Sequence, residues 1–467
     1  MKLPLKAKQF YQKFLNTDNK KSVFILVFWA FASKGLGLLR EALIGRLPTI
    51  QANMFGLAST LNENIVTILI LGTIATGALP QVIALDNLED TSENNQKRIN
   101  HYLSWTGLLL TIVITILCAI GIIWSREFLI LLNADSYDGI KNAGLENEYI
   151  RLNQIFLVAP IIFAIKTILG IFLNARKSFK IYSLDGVLSN IGLIIGLTFL
   201  YSVWGIVGAG FGLLLGFCFA LIGFIIDCYK HNLRFDLNGI GEIKPYLWKT
   251  LWLFLPRLLV INSARTAETL MATINRSDDG VAIFRLSMNI QGIFYGIVLM
   301  AGTVFLPDLT NLLHKPGSKS EFWQKLNKYL SNSLKFSFFA VILTLLITPV
   351  LVYLIKVLSF SKSGSLLASD QTIYFTIGLV AIGSIAIIFQ SVNEILGKYF
   401  IAIQDNKFSI ISTIVANVLS VVLTLVLMQN INRPVAVMIG YILNNAVLAG
   451  MFYWRVQRDK CQLIEVK

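Results

Sequence analysis

The chain has 467 residues, 55% of them hydrophobic and only 14% charged, with a mean hydropathy of +0.68 and a formal net charge of +14. A soluble domain of this length buries its core with far less apolar material, so the surplus must face something other than water. That excludes a soluble globular fold, and it makes nucleic acid a poor explanation for the positive charge.

Apolar runs of the roughly 20 residues needed to cross a bilayer recur from end to end. They predict about twelve transmembrane helices, near 22–46, 52–84, 101–124, 150–174, 182–202, 205–229, 249–274, 280–307, 335–358, 372–398, 408–429 and 434–455. Ahead of the first run lie Lys2, Lys6, Lys8, Lys13, Lys20 and Lys21. The run itself is long, carries Lys34 and Arg40, and lacks a clear small-residue cleavage site, so it reads as a retained span rather than a signal peptide. With the N-terminus placed in the cytoplasm, 26 of the 40 Lys and Arg fall on the cytoplasmic side. This positive-inside pattern accounts for the basic balance and returns the C-terminus to the cytoplasm. Two further stretches, EFLILL within 125–150 and SEFWQKLNKYL within 313–334, have the spacing of interfacial helices.

The chain divides most naturally in the polar stretch 230–248, giving an N-lobe (1–235) and a C-lobe (236–467) of six spans each. Pro80 and Pro307, Gly170 and Gly397, and Asn190 and Asn417 share one offset of 227 residues. Three matches at one offset indicate an internal duplication. Because each copy holds an even number of spans, the copies share one orientation, a parallel repeat of the kind found in transporters.

Chemistry concentrates in charges inside the spans, each of which costs about 2.5–3.5 kcal/mol at a helix centre. The first span holds Lys34, Arg40 and Glu41, and the seventh holds Arg257, Arg265 and Glu268. Arg285 opens the eighth, and Lys166, Glu63 and Glu394 lie in the fourth, second and tenth. Arg46, Lys166 and Arg276 lie near span ends, where snorkelling or structural ion pairs explain them. Lys34, Arg40, Arg257 and Arg265 lie deeper, and with Arg285 they outnumber Glu41 and Glu268. A cavity lined this way binds an anion, and guanidinium forks suit phosphate or carboxylate oxygens. Gly35, Gly37 and Gly45 are expected to interrupt the first span, and Pro256 to bend the seventh. The cysteines (Cys118, Cys218, Cys228, Cys461) and histidines (His101, His231, His314) form neither a disulfide framework nor a metal site. No ATP-binding motif and no cofactor is predicted.

The stretch Ser33-Lys34-Gly35-Leu36-Gly37-Leu38-Leu39-Arg40-Glu41 resembles the first-span signature of the MurJ (MviN) lipid II flippase family. That family belongs to the MATE-like multidrug/oligosaccharidyl-lipid/polysaccharide exporter superfamily. Gly72 to Pro80, LNARKSF with Asn190, Leu255-Pro256-Arg257 and Gly302 to Pro307 extend the resemblance over most of the chain. It implies an all-α polytopic transporter in which Lys34 and Arg40 bind the diphosphate of a lipid-linked sugar precursor in a central cavity between two lobes. It implies a monomer working in a bacterial cytoplasmic membrane, in contact with membrane lipid and no nucleic acid. Three features depart from the family pattern. A family arginine of the second span falls near Val66 or Thr67, that of the eighth aligns with Met288 one turn after Arg285, and the family's last two spans have no counterpart here. The rival readings are a flippase for another lipid-linked oligosaccharide, a MATE-type exporter, a membrane-embedded transferase and a pseudo-transporter that recruits partners.

Overall fold

The computed structural model describes residues 18–66, 91–176, 180–257, 263–275, 280–303, 319–358, 369–403 and 406–465, together with 78, 81, 82, 84–86, 88, 178, 366 and 367. Among these residues the fold is helical with no β-strand. Eight helices are long and apolar enough to cross a membrane. They coincide with the expected third to sixth and ninth to twelfth spans. Their outer faces are apolar and open: Phe199, Ile123 and Leu346 are 69–72% exposed, as lipid-facing side chains must be.

In chain order the helices are α1 (Asp18–Gly45), α2 (Thr49–Ile65), α3 (Ser92–Ile123), α4 (Ser125–Leu132), α5 (Ala134–Asn142) and α6 (Glu146–Ala175). Next come α7 (Lys180–Ile195), continued through a π-helical turn (Gly196–Leu200) and Tyr201–Trp204, then α8 (Val207–Lys230), α9 (Ile240–Arg257), α10 (Ser263–Ile274) and α11 (Gly280–Thr303). The chain ends with α12 (Lys319–Leu358), α13 (Asp370–Ser384), α14 (Ala386–Ala402), α15 (Asn406–Leu427) and α16 (Arg433–Glu465). Side-chain caps mark several starts: Thr91, Asn133 and Ser369 each accept the backbone N–H three residues on.

The described residues form two compact units, one drawn from 1–40, 69–124 and 151–255, the other from 41–68, 125–150 and 256–467. Within the first unit, α7 and α8 pack through glycine. A Cβ at Gly212 would lie 2.4 Å from the Gly196 Cα, and one at Gly192 would lie 2.4 Å from the Gly216 Cα. Only hydrogens fit there, so the backbones meet directly, as small residues allow between membrane helices.

Two sequence expectations change. First, α1 runs unbroken through Gly35 and Gly37 and ends at Gly45. A glycine costs a helix only about 1 kcal/mol, less than packing returns. Second, SEFWQKLNKYL is not a separate interfacial helix but the opening of the 40-residue α12. Its Phe322 and Leu326 are buried against Tyr399, Phe400 and Phe452, so its apolar stripe meets protein rather than lipid. The motif residues Gly72, Thr73, Pro80 and Pro307, together with Arg276 and the N-terminal Lys2, Lys6, Lys8 and Lys13, lie outside the described residues.

A strap, residues 231–239, is fastened to α3. Trp105 Nε1 donates to the Leu237 carbonyl (2.9 Å), the Asp236 N–H donates to Ser104 Oγ (2.9 Å), and His101 Nε2 meets Asp236 Oδ2 (2.9 Å). Gly239 takes φ +66°, and a Cβ there would come within 2.3 Å of His101 Nδ1, so both conformation and space require glycine.

Gly212→Leu is expected to destabilise the first unit by at least the roughly 1–3 kcal/mol of overpacking, read as a fall in the melting temperature of detergent-solubilised protein. The strap generates a pH prediction. The backbone N–H of Asn238, aided by His101, holds the Asp236 carboxyl below the usual carboxylate range. The fastening it provides is therefore complete above that range and is lost as pH falls through the lowered value. Hydrogen-exchange protection across 231–239, measured against the intrinsic rate at each pH, should fall on acidification, and Asp236→Asn should lower it at every pH.

Candidate functional site

In the first unit the site begins on α1. Lys34 and Arg40 are half-buried. Arg40 Nη1 donates to Asn190 Oδ1 (3.2 Å), and Asn190 Nδ2 donates to the Ser33 carbonyl (3.0 Å) and Ser33 Oγ (3.2 Å). One asparagine on α7 thus fixes both the backbone of α1 and the orientation of Arg40. Its duplicate, Asn417 on α15, does comparable work in the second unit. There Asn417 Oδ1 accepts from Asn444 Nδ2 (2.6 Å) and Thr266 Oγ1 (3.2 Å), the latter on α10. Asn190 therefore ties α7 to α1, and Asn417 ties α15 to α10.

Lys166 is a structural cation. It is 2% exposed, bonded to Asp185 Oδ1 at 2.6 Å, and lies 4.3 and 4.5 Å from the ring centroids of Phe163 and Phe217. Carboxylate and rings together satisfy its charge.

The second unit holds a denser group. Arg265 on α10 pairs with both Glu63 on α2 and Glu268 one turn along its own helix. Arg285 on α11 pairs with the other oxygen of Glu63. Two guanidiniums and two carboxylates form one network, with Glu268 and Arg285 the more buried members at 8% and 12% side-chain exposure. Arg285 Nη1 is buried without a hydrogen-bond partner. The approach of α2 and α11 that permits this depends on Gly56, whose Cβ would stand 3.0 Å from Val281 Cγ1 and 3.7 Å from Arg285 Cδ. Beside the network, Asn64 Nδ2 donates to Thr269 Oγ1 (2.7 Å), and Asn289 Nδ2 donates to the buried Glu41 Oε1 (3.0 Å). The far end of α10 is capped: Asn133 Nδ2 donates to the carbonyls of Ala272 (2.7 Å) and Asn275 (2.8 Å), and Arg433 Nη1 donates to that of Ile274 (2.7 Å).

The structure thus brings Arg265, Arg285 and Glu268 together, and places Glu41 on Asn289. Lys34 and Arg40 sit in the first unit, and the side chain of Arg257 lies outside the described residues. Sequence reasoning missed the part played by Glu63, which supplies the second carboxylate and makes this group formally neutral. The signal was present as an acid inside an apolar span, a residue that lipid does not tolerate without a partner. Met288, where the family arginine aligns, is buried, and Arg285 reaches the network from one turn earlier.

The helical fold, with eight described helices long and apolar enough to cross a membrane, is that of a multi-pass α-helical membrane protein. The chain belongs to the MurJ lipid II flippase family, whose model matches residues 49–465. Among solved structures it is similar to a lipid II flippase MurJ in an inward-closed conformation, at 15% identity and TM-score 0.73, covering 93% of this chain and 87% of that one. It is similar also to an inward-facing MATE multidrug-resistance transporter of the MOP superfamily, at 15% identity and TM-score 0.69, covering 94% of this chain and 98% of that one. A third is a MOP superfamily transporter from Pyrococcus furiosus described as having a binding pocket of reversed polarity, at 16% identity and TM-score 0.61, covering 96% and 97%. No curated protein matches the chain by sequence.

Glu63→Ala leaves two guanidiniums facing an empty position and is expected to cost about 3–5 kcal/mol, the penalty for breaking a buried ion pair by removing one partner. Asn64→Ala on the same helix removes one neutral hydrogen bond and should cost about 1 kcal/mol. Thermal unfolding of the two variants side by side checks the difference.

Proposed function

We propose that the chain translocates lipid II, an undecaprenyl-diphosphate-linked peptidoglycan precursor, across the bacterial cytoplasmic membrane. It does so as a monomer, by alternating access, with both termini in the cytoplasm and with 1–235 and 236–467 as its two repeated halves. Membership of the flippase family supports the substrate class. The observation that carries the mechanism is the convergence of Arg265 and Arg285 on one carboxylate, with Arg285 Nη1 left over.

Two guanidiniums aimed at one pair of oxygens form a receptor for a phosphate, and charge-assisted bonds of this kind are about twice as strong as neutral ones. In the empty protein Glu63 fills that receptor. A diphosphate brings more negative charge and more acceptor oxygens than one carboxylate, so it displaces Glu63. When the substrate leaves, Glu63 returns and the arginines are never stranded in low dielectric. The resemblance of the first-span signature makes Lys34 and Arg40, with Arg257, further candidates for diphosphate binding, while Glu41 and Glu268 limit the charge of the empty state. A MATE-type exporter of cationic drugs would need acidic excess instead. Without an ATP-binding motif, the driving force is the membrane potential or an ion gradient.

Complementation of a strain depleted of its lipid II flippase tests the reading. Wild type should restore growth, and Lys34→Ala and Arg40→Ala should each impair it at equal membrane levels. Failure of inserted wild type contradicts the substrate, and full growth with both variants contradicts the cationic site.

A further inference from the structure

The first unit contains a cavity for which the transport mechanism has no use. About 400 Å³ in volume, it lies among α3, α6 and α8, with Leu103, Leu108, Ile165, Ile168 and Ile225 in its wall, and Leu233 to Phe235 of the strap line one end. This volume falls within the roughly 300–1,000 Å³ of ordinary ligand sites. Its wall is almost wholly apolar, and among its polar groups Ser104 Oγ accepts the Asp236 N–H at 2.9 Å and Cys228 Sγ donates to the Leu169 carbonyl at 3.5 Å. An occupant along the wall must therefore be a hydrocarbon.

The strap end is different. Arg234 lines it, and its guanidinium stands 3.9 Å over the Tyr229 ring while Nη1 donates to the carbonyls of Tyr229 and Leu233, both at 3.1 Å. These contacts fix the plane of the group and leave Nε and Nη2 without a partner among the described residues. Around the opening, Ile225, Tyr229 and Phe235 are 50%, 65% and 75% exposed. Apolar side chains open to this degree at the end of a membrane helix face lipid, and an arginine among them lies at headgroup depth. The site is thus apolar along its length and cationic at one end.

We infer that this cavity holds one acyl chain of an anionic bilayer phospholipid whose phosphate sits on Arg234. The ligand is a lipid of the surrounding leaflet and not the transported precursor. The strap, pinned to α3 through His101, Ser104 and Trp105, places the arginine over the cavity mouth. Bound lipid would therefore join α3, α6 and α8 to the strap from the bilayer side.

Native mass spectrometry of the full chain, titrated with phosphatidylglycerol or phosphatidylcholine after delipidation, tests this independently of the transport reading. Wild type should retain one phosphatidylglycerol at least about tenfold more tightly than phosphatidylcholine. Arg234→Gln should abolish that preference. Thr111→Phe, which fills the cavity from α3 without touching Arg234, should weaken both lipids while the melting temperature of lipid-free protein stays unchanged. Equal retention of the two lipids by wild type, or an undiminished preference in Arg234→Gln, overturns the inference. Should Arg234→Gln fail to fold, Thr111→Phe decides alone: binding equal to wild type then overturns it.

Discussion

The carboxylate of Glu63 between Arg265 and Arg285 is the interaction on which the second unit is organised. A guanidinium cannot lose its charge in a protein, so an arginine inside the bilayer must have a counter-ion, a water-filled cavity, or both. Here one side chain on α2 serves two arginines, on α10 and α11, and its loss would leave Arg265 with Glu268 and Arg285 without its ion pair. The small residue Gly56 that lets α2 approach, the Asn64–Thr269 bond and the caps on α10 from Asn133 and Arg433 all hold that geometry. They are the supporting framework of a charge network.

Buried ion pairs seldom stabilise a fold relative to apolar packing of the same volume. An apolar chain that spends two arginines and two glutamates in one place is weakly explained by stability. Exchange of partners explains it better, because a network that is neutral when empty can open to a stronger anion without leaving bare charge behind. In the first unit Arg40 donates to the side chain of Asn190. A neutral amide orients a guanidinium without cancelling it.

Much of this was legible in the sequence, for identifiable reasons. Membrane spans declare themselves by length and hydropathy, and eight of the expected runs are helices at the expected places. The 227-residue offset singled out Asn190 and Asn417, which bond to α1 and α10 respectively. Arg265 and Glu268 were readable as a pair because three residues is one helical turn. Glu63 lies 202 residues from Arg265, and no periodicity links residues on helices that pack only after folding. The same limit applies to α12, whose amphipathic opening looks identical whether its partner is lipid or Tyr399 and Phe400. Gly35 and Gly37 looked like breaks because of their backbone cost, about 1 kcal/mol each, which the long apolar helix absorbs.

The central claim is that fixed arginines recognise a diphosphate, and it can be measured on the ligand rather than the protein. The purified chain in nanodiscs should bind lipid II at least about tenfold more tightly than an analogue with one phosphate removed, the loss expected from forfeiting charge-assisted hydrogen bonds of about 1.5–3 kcal/mol each. Equal affinity for the two ligands would mean that the sugar, peptide or tail carries recognition, and would contradict the account.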